Sequence, residues 1–222
     1  MRHPAVWIVA LVASIAIATA DDPPVAPVPA PPLEARVPVF ANRNCPMMGK
    51  KASTALFVDT DMGRIYVCCM PCVEEILADT AAAHRAAYPV VKKLANAVCP
   101  ISGKAIEKDS PRLVLQGFEF SLHSADLAPA ARATSQVVLA RLANPALRDV
   151  GNRRCPVTGG PVSVNSPVLI GDDLIHLAGK ECVVAVKKDP AAMLARAKVI
   201  ALEDRANEAQ KGAPNGSDHA GK

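Results

Sequence analysis

Short apolar or alternating runs recur along this chain in pairs, each pair split by turn residues and followed by an alanine-rich stretch. The first pair is Ala55–Asp59 and Arg64–Cys68, joined by Thr60–Gly63, which predicts a β-hairpin. One set of strands is Leu56–Val58, Arg112–Leu115 and Pro167–Ile170; the second set is Ile65–Cys68, Glu119–Leu122 and Ile175–Ala178. Their turns fall at Asp61–Gly63, Gln116–Gly117 and Gly171–Asp173. Helical stretches follow at Pro71–Ala97, with a break expected at Pro89, at Ala125–Ala143, and at Lys180–Asp204, interrupted at Pro190. In the second stretch Val137, Val138, Leu139 and Leu142 keep helical spacing, so the helices are expected to cover the hairpins.

A motif opens each of these units. Cys-Pro-x-x-Gly begins at Cys45, at Cys99 and at Cys155, and reads as a tight knuckle that presents a thiol beside backbone amides. Aligned without gaps, the three copies place His123 and Gly179 at the position of Cys69, and Asp126 and Cys182 at that of Cys72. The predicted fold class is therefore α+β, as three tandem treble-clef-like units of knuckle, hairpin and helix. They span residues 41–97, 98–148 and 149–206.

Composition adds the surroundings. Aromatics make up 3% of the 222 residues and prolines number 20, which argues against one large core. Residues 1–20 read as a secretory signal: Arg2 and His3, the apolar run Ala5–Ile17, then Ala18-Thr19-Ala20 with cleavage expected after Ala20. A proline-rich linker, residues 21–40, is expected to be extended and solvated, and residues 207–222 to be a disordered tail. A secreted or periplasmic location follows from the signal. The net charge of +4 is scattered, with no basic patch interleaved with aromatics, so nucleic acid is not an expected partner.

The chemistry sits in the cysteines. Cys45 at the first knuckle, with Cys69 and Cys72 at the start of a helix, gathers three thiolates, and Cys68 or the Met48 thioether completes four. Cys68 and Cys69 are neighbours that face opposite ways in a strand, and the geometry of a helix start prefers Cys69. Thiolates suit Zn²⁺, and thiolate with thioether leans to Cu(I), so the expected cofactor is zinc or copper. A second, weaker ligand set is Cys99, His123 and Asp126. The third copy keeps Cys155 and Cys182, for which the favoured reading in an exported chain is a disulfide.

Cys45, Cys68 and Cys72, with Cys-Pro-x-x-Gly and the run Ile65-Tyr66-Val67-Cys68-Cys69 before the helix, resemble the YHS/TRASH family of metal-associated domains. Its pattern is a cysteine, a hairpin's length of chain, a second cysteine, and a cysteine, aspartate or histidine one helical turn on. The resemblance implies metal handling (sensing, trafficking or resistance) and puts Cys68 rather than Cys69 in the second slot. Leu122 and Ala178 occupy that slot in the other copies, which depart from the pattern, while Asp126 and Cys182 match its third position.

Two other classes stay open. Cys69-Met70-Pro71-Cys72 is a Cys-x-x-Cys at a helix N-terminus, as in thiol–disulfide redox proteins, although nothing here reads as parallel β. A non-catalytic scaffold of degenerate repeats, held to a membrane or periplasmic protein partner, is the other. The chain carries no nucleophile elbow, phosphate-cradling loop or helical histidine pair, so no enzyme is expected. His84 is expected to be exposed, and His176, aligned with Tyr66 and Phe120, to be a packing residue.

Overall fold

In a computed structural model, residues 32–211 are described. The predicted signal, the proline-rich run to residue 31 and the tail beyond residue 211 lie outside them. The described chain is a mixed α+β fold with small sheets. A first hairpin, β2 (Phe57–Thr60) and β3 (Gly63–Tyr66), follows a short strand β1 (Ala35–Arg36) and leads into α1 (Pro71–Ala78) and α2 (Thr80–Ala87). After β4 (Lys92–Lys93) comes a second hairpin, β5 (Arg112–Leu115) and β6 (Phe118–Ser121). A 3₁₀ turn over Ala125–Leu127 then runs into α3 (Ala128–Ala133) and α4 (Ser135–Ala143). Past β7 (Arg148–Asp149), the third hairpin is β8 (Pro167–Ile170) and β9 (Asp173–His176). It is followed by a 3₁₀ turn at Lys180–Cys182, α5 (Val183–Lys188) and α6 (Pro190–Lys211).

The same local bonds build each knuckle. Gly49, Gly103 and Gly159 donate to the carbonyls of Cys45, Cys99 and Cys155 at 2.8–2.9 Å. The cysteine amides in turn bond Lys50, Lys104 and Gly160 at 2.7–2.8 Å. All three glycines hold φ between 65° and 74°, a left-handed backbone that a β-carbon would strain. An asparagine three residues ahead of each cysteine then ties the knuckle to its hairpin. Asn42 donates to the Tyr66 carbonyl (2.8 Å) and accepts its N–H (2.7 Å). Asn96 does the same with Ser121 and Asn152 with His176, all at 2.8–3.0 Å.

The later hairpins also recruit chain from upstream. β4 lies parallel to β6, β7 parallel to β9, and β1 antiparallel to β8 with Ala35 opposite Ile170. Lys92–Lys93, inside the stretch 41–97, thus pairs with the second hairpin. Each hairpin packs its own helices over a separate apolar core: Val58, Ile65, Val67 and Ile76 in the first, Leu113, Leu115, Phe120 and Val138 in the second, Val168, Ile170, Ile175 and Val186 in the third. α4 joins the last two, because Val138 faces the second core while Val137 and Ala140 pack on Leu174 of β9.

The three segments meet on polar side chains. Arg64 donates to both oxygens of Asp59 (2.8 and 3.0 Å) and to the Asn165 carbonyl just ahead of the third hairpin (3.0 Å), with its guanidinium 3.6 Å above the Phe57 ring. Asn165 accepts the Gln136 amide N–H at 2.8 Å, and Gln136 donates to Gln116, which reaches the Phe40 carbonyl at 2.9 Å. Gln116, Gln136 and Asn165 are all buried, and each is bonded in this way, as burial of polar groups requires.

Several sequence expectations change here. The stretch Pro71–Ala97 is two helices divided at Asp79, whose Oδ1 caps the second by accepting the Ala82 N–H at 2.9 Å, and helix ends at Ala87. The interruption expected at Pro190 is present: α5 ends at Lys188 and Pro190 starts α6, with Asp189 capping it through Ala192 at 3.0 Å. That helix runs to Lys211, so residues 207–211 of the expected tail are helical. The described end of the linker is not a solvated spacer: Ala35–Arg36 are in a sheet, Pro38 is buried, and Phe40 stacks edge-on to Phe118 at 6.3 Å. His84 is buried against Tyr88, with its Nε2 lacking a partner, and is not exposed. His176 stands level with Tyr66 and Ser121, not Phe120, and its Nε2 meets Asp149 at 2.9 Å. Among the described residues no helix is long and apolar enough to cross a membrane.

Candidate metal centre

The first knuckle brings Cys45 under the end of its hairpin, where Cys68 lies two residues past β3 and Cys72 is the second residue of α1. Val67 holds this exit strand by donating to the Leu56 carbonyl at 3.0 Å, and Pro71 opens the helix at the position where a missing N–H costs nothing. The sulfurs of Cys45, Cys68 and Cys72 all lie within 4.8 Å of one another, across a gap that the sequence alone spans only through a whole hairpin. Among the described residues this is the one such group of metal-ligating side chains. Cys68 and Cys72 are 4.0 Å apart at sulfur. Cys69 stands 3.7 Å from Cys68 and 3.3 Å from Cys72, outside the group of three. Zinc–sulfur bonds of about 2.3 Å put the sulfurs of a tetrahedral site roughly 3.8 Å apart. The cluster already has that scale, so a thiolate-bound metal fits it.

Electrostatics separate the members. Burial works to raise the Cys45 thiol, but the amide N–H groups of Met48, Cys68 and Met47 converge on its sulfur and bring it down to about 7. Burial dominates at Cys72, and together with its hydrogen bonds to Cys69, Cys45 and Cys68 pushes its thiol well up. Burial raises Cys68 too, whereas the hydrogen bonds from Cys72 lower Cys69. Fully ionised, the three grouped sulfurs would set three like charges within 4.8 Å. A cation between them is what offsets that repulsion.

No family model, no curated protein and no solved structure matches this chain.

The second ligand set does not come together. Val67, Leu122 and Leu177 make the same bond at the end of the three hairpins, to Leu56, Pro111 and Ser166. Ala52, Ile106 and Val162 likewise make the same bond back to Arg43, Ala97 and Arg153. Between those two bonds the second segment holds Glu107–Ser110, one residue more than Ser53–Ala55 or Ser163–Asn165. The gap-free alignment is thus off by one beyond this loop. His123 stands at the place of Cys68, and Leu127 rather than Asp126 at that of Cys72. The amides agree: Cys99 is lowered against its burial by the backbone of His123, where Cys45 has Cys68 and Cys155 has Ala178. Leu127 packs on the second core, and Asp126 is exposed and bonded by the Ser124 hydroxyl. Among the described residues, Cys99, His123 and Asp126 form no group of ligands.

In the third segment Cys155 and Cys182 are buried 3.7 Å apart at sulfur, and both are free thiols. A disulfide needs about 2.05 Å, so the structure holds this pair side by side without the bond. Met48, the alternative fourth ligand, is more than half exposed. The residues missed from sequence are the three asparagines: their fixed place, three positions before each motif cysteine, was the available signal.

Proposed function

We propose that this chain binds a soft or borderline transition metal, Zn²⁺ or Cu(I), through Cys45, Cys68 and Cys72, and serves in its binding, storage, delivery or sensing rather than in catalysis. The observation that carries the reading is the meeting of three sulfurs within 4.8 Å from a knuckle, a strand end and a helix start. The YHS/TRASH resemblance of the same three cysteines supports it, and so does the amide-lowered Cys45 thiol, since metals take thiolates. Read with the signal-like residues 1–20, the role belongs to an exported protein. Elemental analysis of the reduced full chain tests the assignment: Cys72→Ser loses the metal, while Cys182→Ser retains it. Equal metal content in both variants overturns it.

A second reading has its own observation. Cys69 is partly exposed, its thiol is lowered by Cys72, and their sulfurs are 3.3 Å apart, which suits thiol–disulfide exchange. Alkylation separates the two: a redox protein shows one thiol reacting far faster than the rest, whereas a metal site shields its thiols together until a chelator is added.

A further inference from the structure

We infer that Met47, Met48 and Met70 form a thioether rim around the thiol cluster, and that the rim makes it a site for a soft monovalent ion, Cu(I). The inference rests on the metal reading above and specifies its cargo. Half of the chain's six methionines are these three. Their backbones are part of the site: the amides of Met47 and Met48 bond the Cys45 sulfur, and Met70 lies between Cys69 and Cys72 on the residue ahead of α1. Their side chains nonetheless face solvent, at 38%, 53% and 63% exposure.

The other two segments show that the frame does not demand methionine. Ile101, Ser102 and Ala125 take these places in the second segment, and Val157, Thr158 and Lys180 in the third. Thioethers fill all three positions only where the three sulfurs are also gathered. Packing supplies no reason for them, since none of the three side chains belongs to an apolar core. Methionine is unbranched and turns about three bonds, so a rim sulfur can swing over an ion held by the cysteines.

Chemistry then chooses the ion. Zinc is served by thiolate, imidazole and carboxylate ligands and not by thioethers, so the three grouped cysteines alone suit either ion and the rim decides between them. Thioether with thiolate is the soft set that suits Cu(I), an ion satisfied by few ligands. On binding, the remaining thiol protons pass to solvent as the copper–sulfur bonds form, and no electron is transferred.

The test uses the reduced full chain without oxygen, titrated with Cu(I) against bathocuproine disulfonate and separately with Zn²⁺ against a chromogenic chelator. It compares wild type with the triple variant Met47→Leu, Met48→Leu, Met70→Leu, whose exposed sites keep an apolar chain of similar size. The expected result is one Cu(I) per wild-type chain and roughly tenfold weaker Cu(I) retention in the variant, the scale at which residues around a metal's ligands act, with Zn²⁺ affinity unchanged. Unaltered Cu(I) retention, or an equal loss toward both ions, overturns the rim and leaves the thiolate site standing. A wild-type chain that takes up neither ion overturns the rim and the metal reading together.

Discussion

The first and third segments share one frame and differ in what hangs from it. Both have a Cys-Pro-x-x-Gly knuckle, an asparagine clamp, a hairpin with the same register, and a cysteine where the helical region begins. In both, two knuckle amides and one hairpin amide aim at the first cysteine's sulfur. The difference at the ligand positions is a single residue: Cys68 in one is Ala178 in the other. With Ala178, the third segment's two thiols are buried core groups, 0% and 2% exposed. With Cys68, the equivalent two belong to a three-sulfur cluster. The same kind of apolar core and the same backbone bonds define the frame whether or not the third sulfur is there. The chemistry is added afterward by one side chain at the strand exit.

The sharpest way to press this comparison is to supply the missing sulfur. Ala178→Cys places a thiol at the position of Cys68, beside Cys155 and Cys182, which are already 3.7 Å apart. The expected outcome is a rise in bound metal from one to two per chain, measured by elemental analysis after dialysis under reducing conditions. Metal content that stays unchanged would mean that the first segment's site depends on more than its three cysteines, with Cys69 the first residue to examine.

The next effect concerns stability. Asn42 is 4% exposed, and Asn42→Ala leaves the N–H and carbonyl of Tyr66 and the Asn44 carbonyl without their partner. Stranding buried polar groups costs 1–3 kcal/mol apiece, so a loss of about 3 kcal/mol is expected. Asn152→Ala should match it, because its clamp is as buried. Asn96 is only half-buried and water can replace it, so Asn96→Ala should cost about 1 kcal/mol. Urea unfolding midpoints of the three variants check the order, and equal losses would show that burial of the clamp is not what sets its strength.

How much of this was legible follows the range of the interactions. The knuckles, hairpins and helix starts are local, fixed by Gly49, Gly103 and Gly159, by turn residues and by apolar runs, and the sequence reveals them. The second strands, however, run Gly63–Tyr66, Phe118–Ser121 and Asp173–His176, one or two residues ahead of the expected Ile65–Cys68, Glu119–Leu122 and Ile175–Ala178. The choice between Cys68 and Cys69 needed coordinates, since it depends on how the strand exit bends over Cys45. The extra residue between Glu107 and Ser110 was hidden because Ser110-Pro111 mimics Ser166-Pro167, and only the bonds of Asn96 and Leu122 reveal the true register. Arg64, Gln116, Gln136 and Asn165 gave no sign of burial, for each is covered by a segment distant in the chain. His84 gives no such sign for a local reason: Tyr88, one helical turn on, stacks against it and buries it.

The smallest effect expected isolates the amide nest from the sulfur cluster. Cys99 has the knuckle and hairpin amides of the first segment but no sister thiol at the helix start, where Leu127 stands. Burial works to raise its thiol, yet the His123, Ser102 and Ile101 amides and the Ser102 hydroxyl bring it below the ordinary value. A thiol lowered in the folded state binds its proton more weakly there than in the unfolded chain. Its contribution is therefore fully present above the unfolded pKa of about 8.5 and is lost as pH falls through the folded value. Measured against Cys99→Ala, the stability margin of the wild type should widen as pH rises from 6 to 9 and then level off. A margin that is flat, or that narrows, would show that the nest only shapes the knuckle. In that case the low thiol at Cys45 would have to be credited to the Cys72 side chain instead.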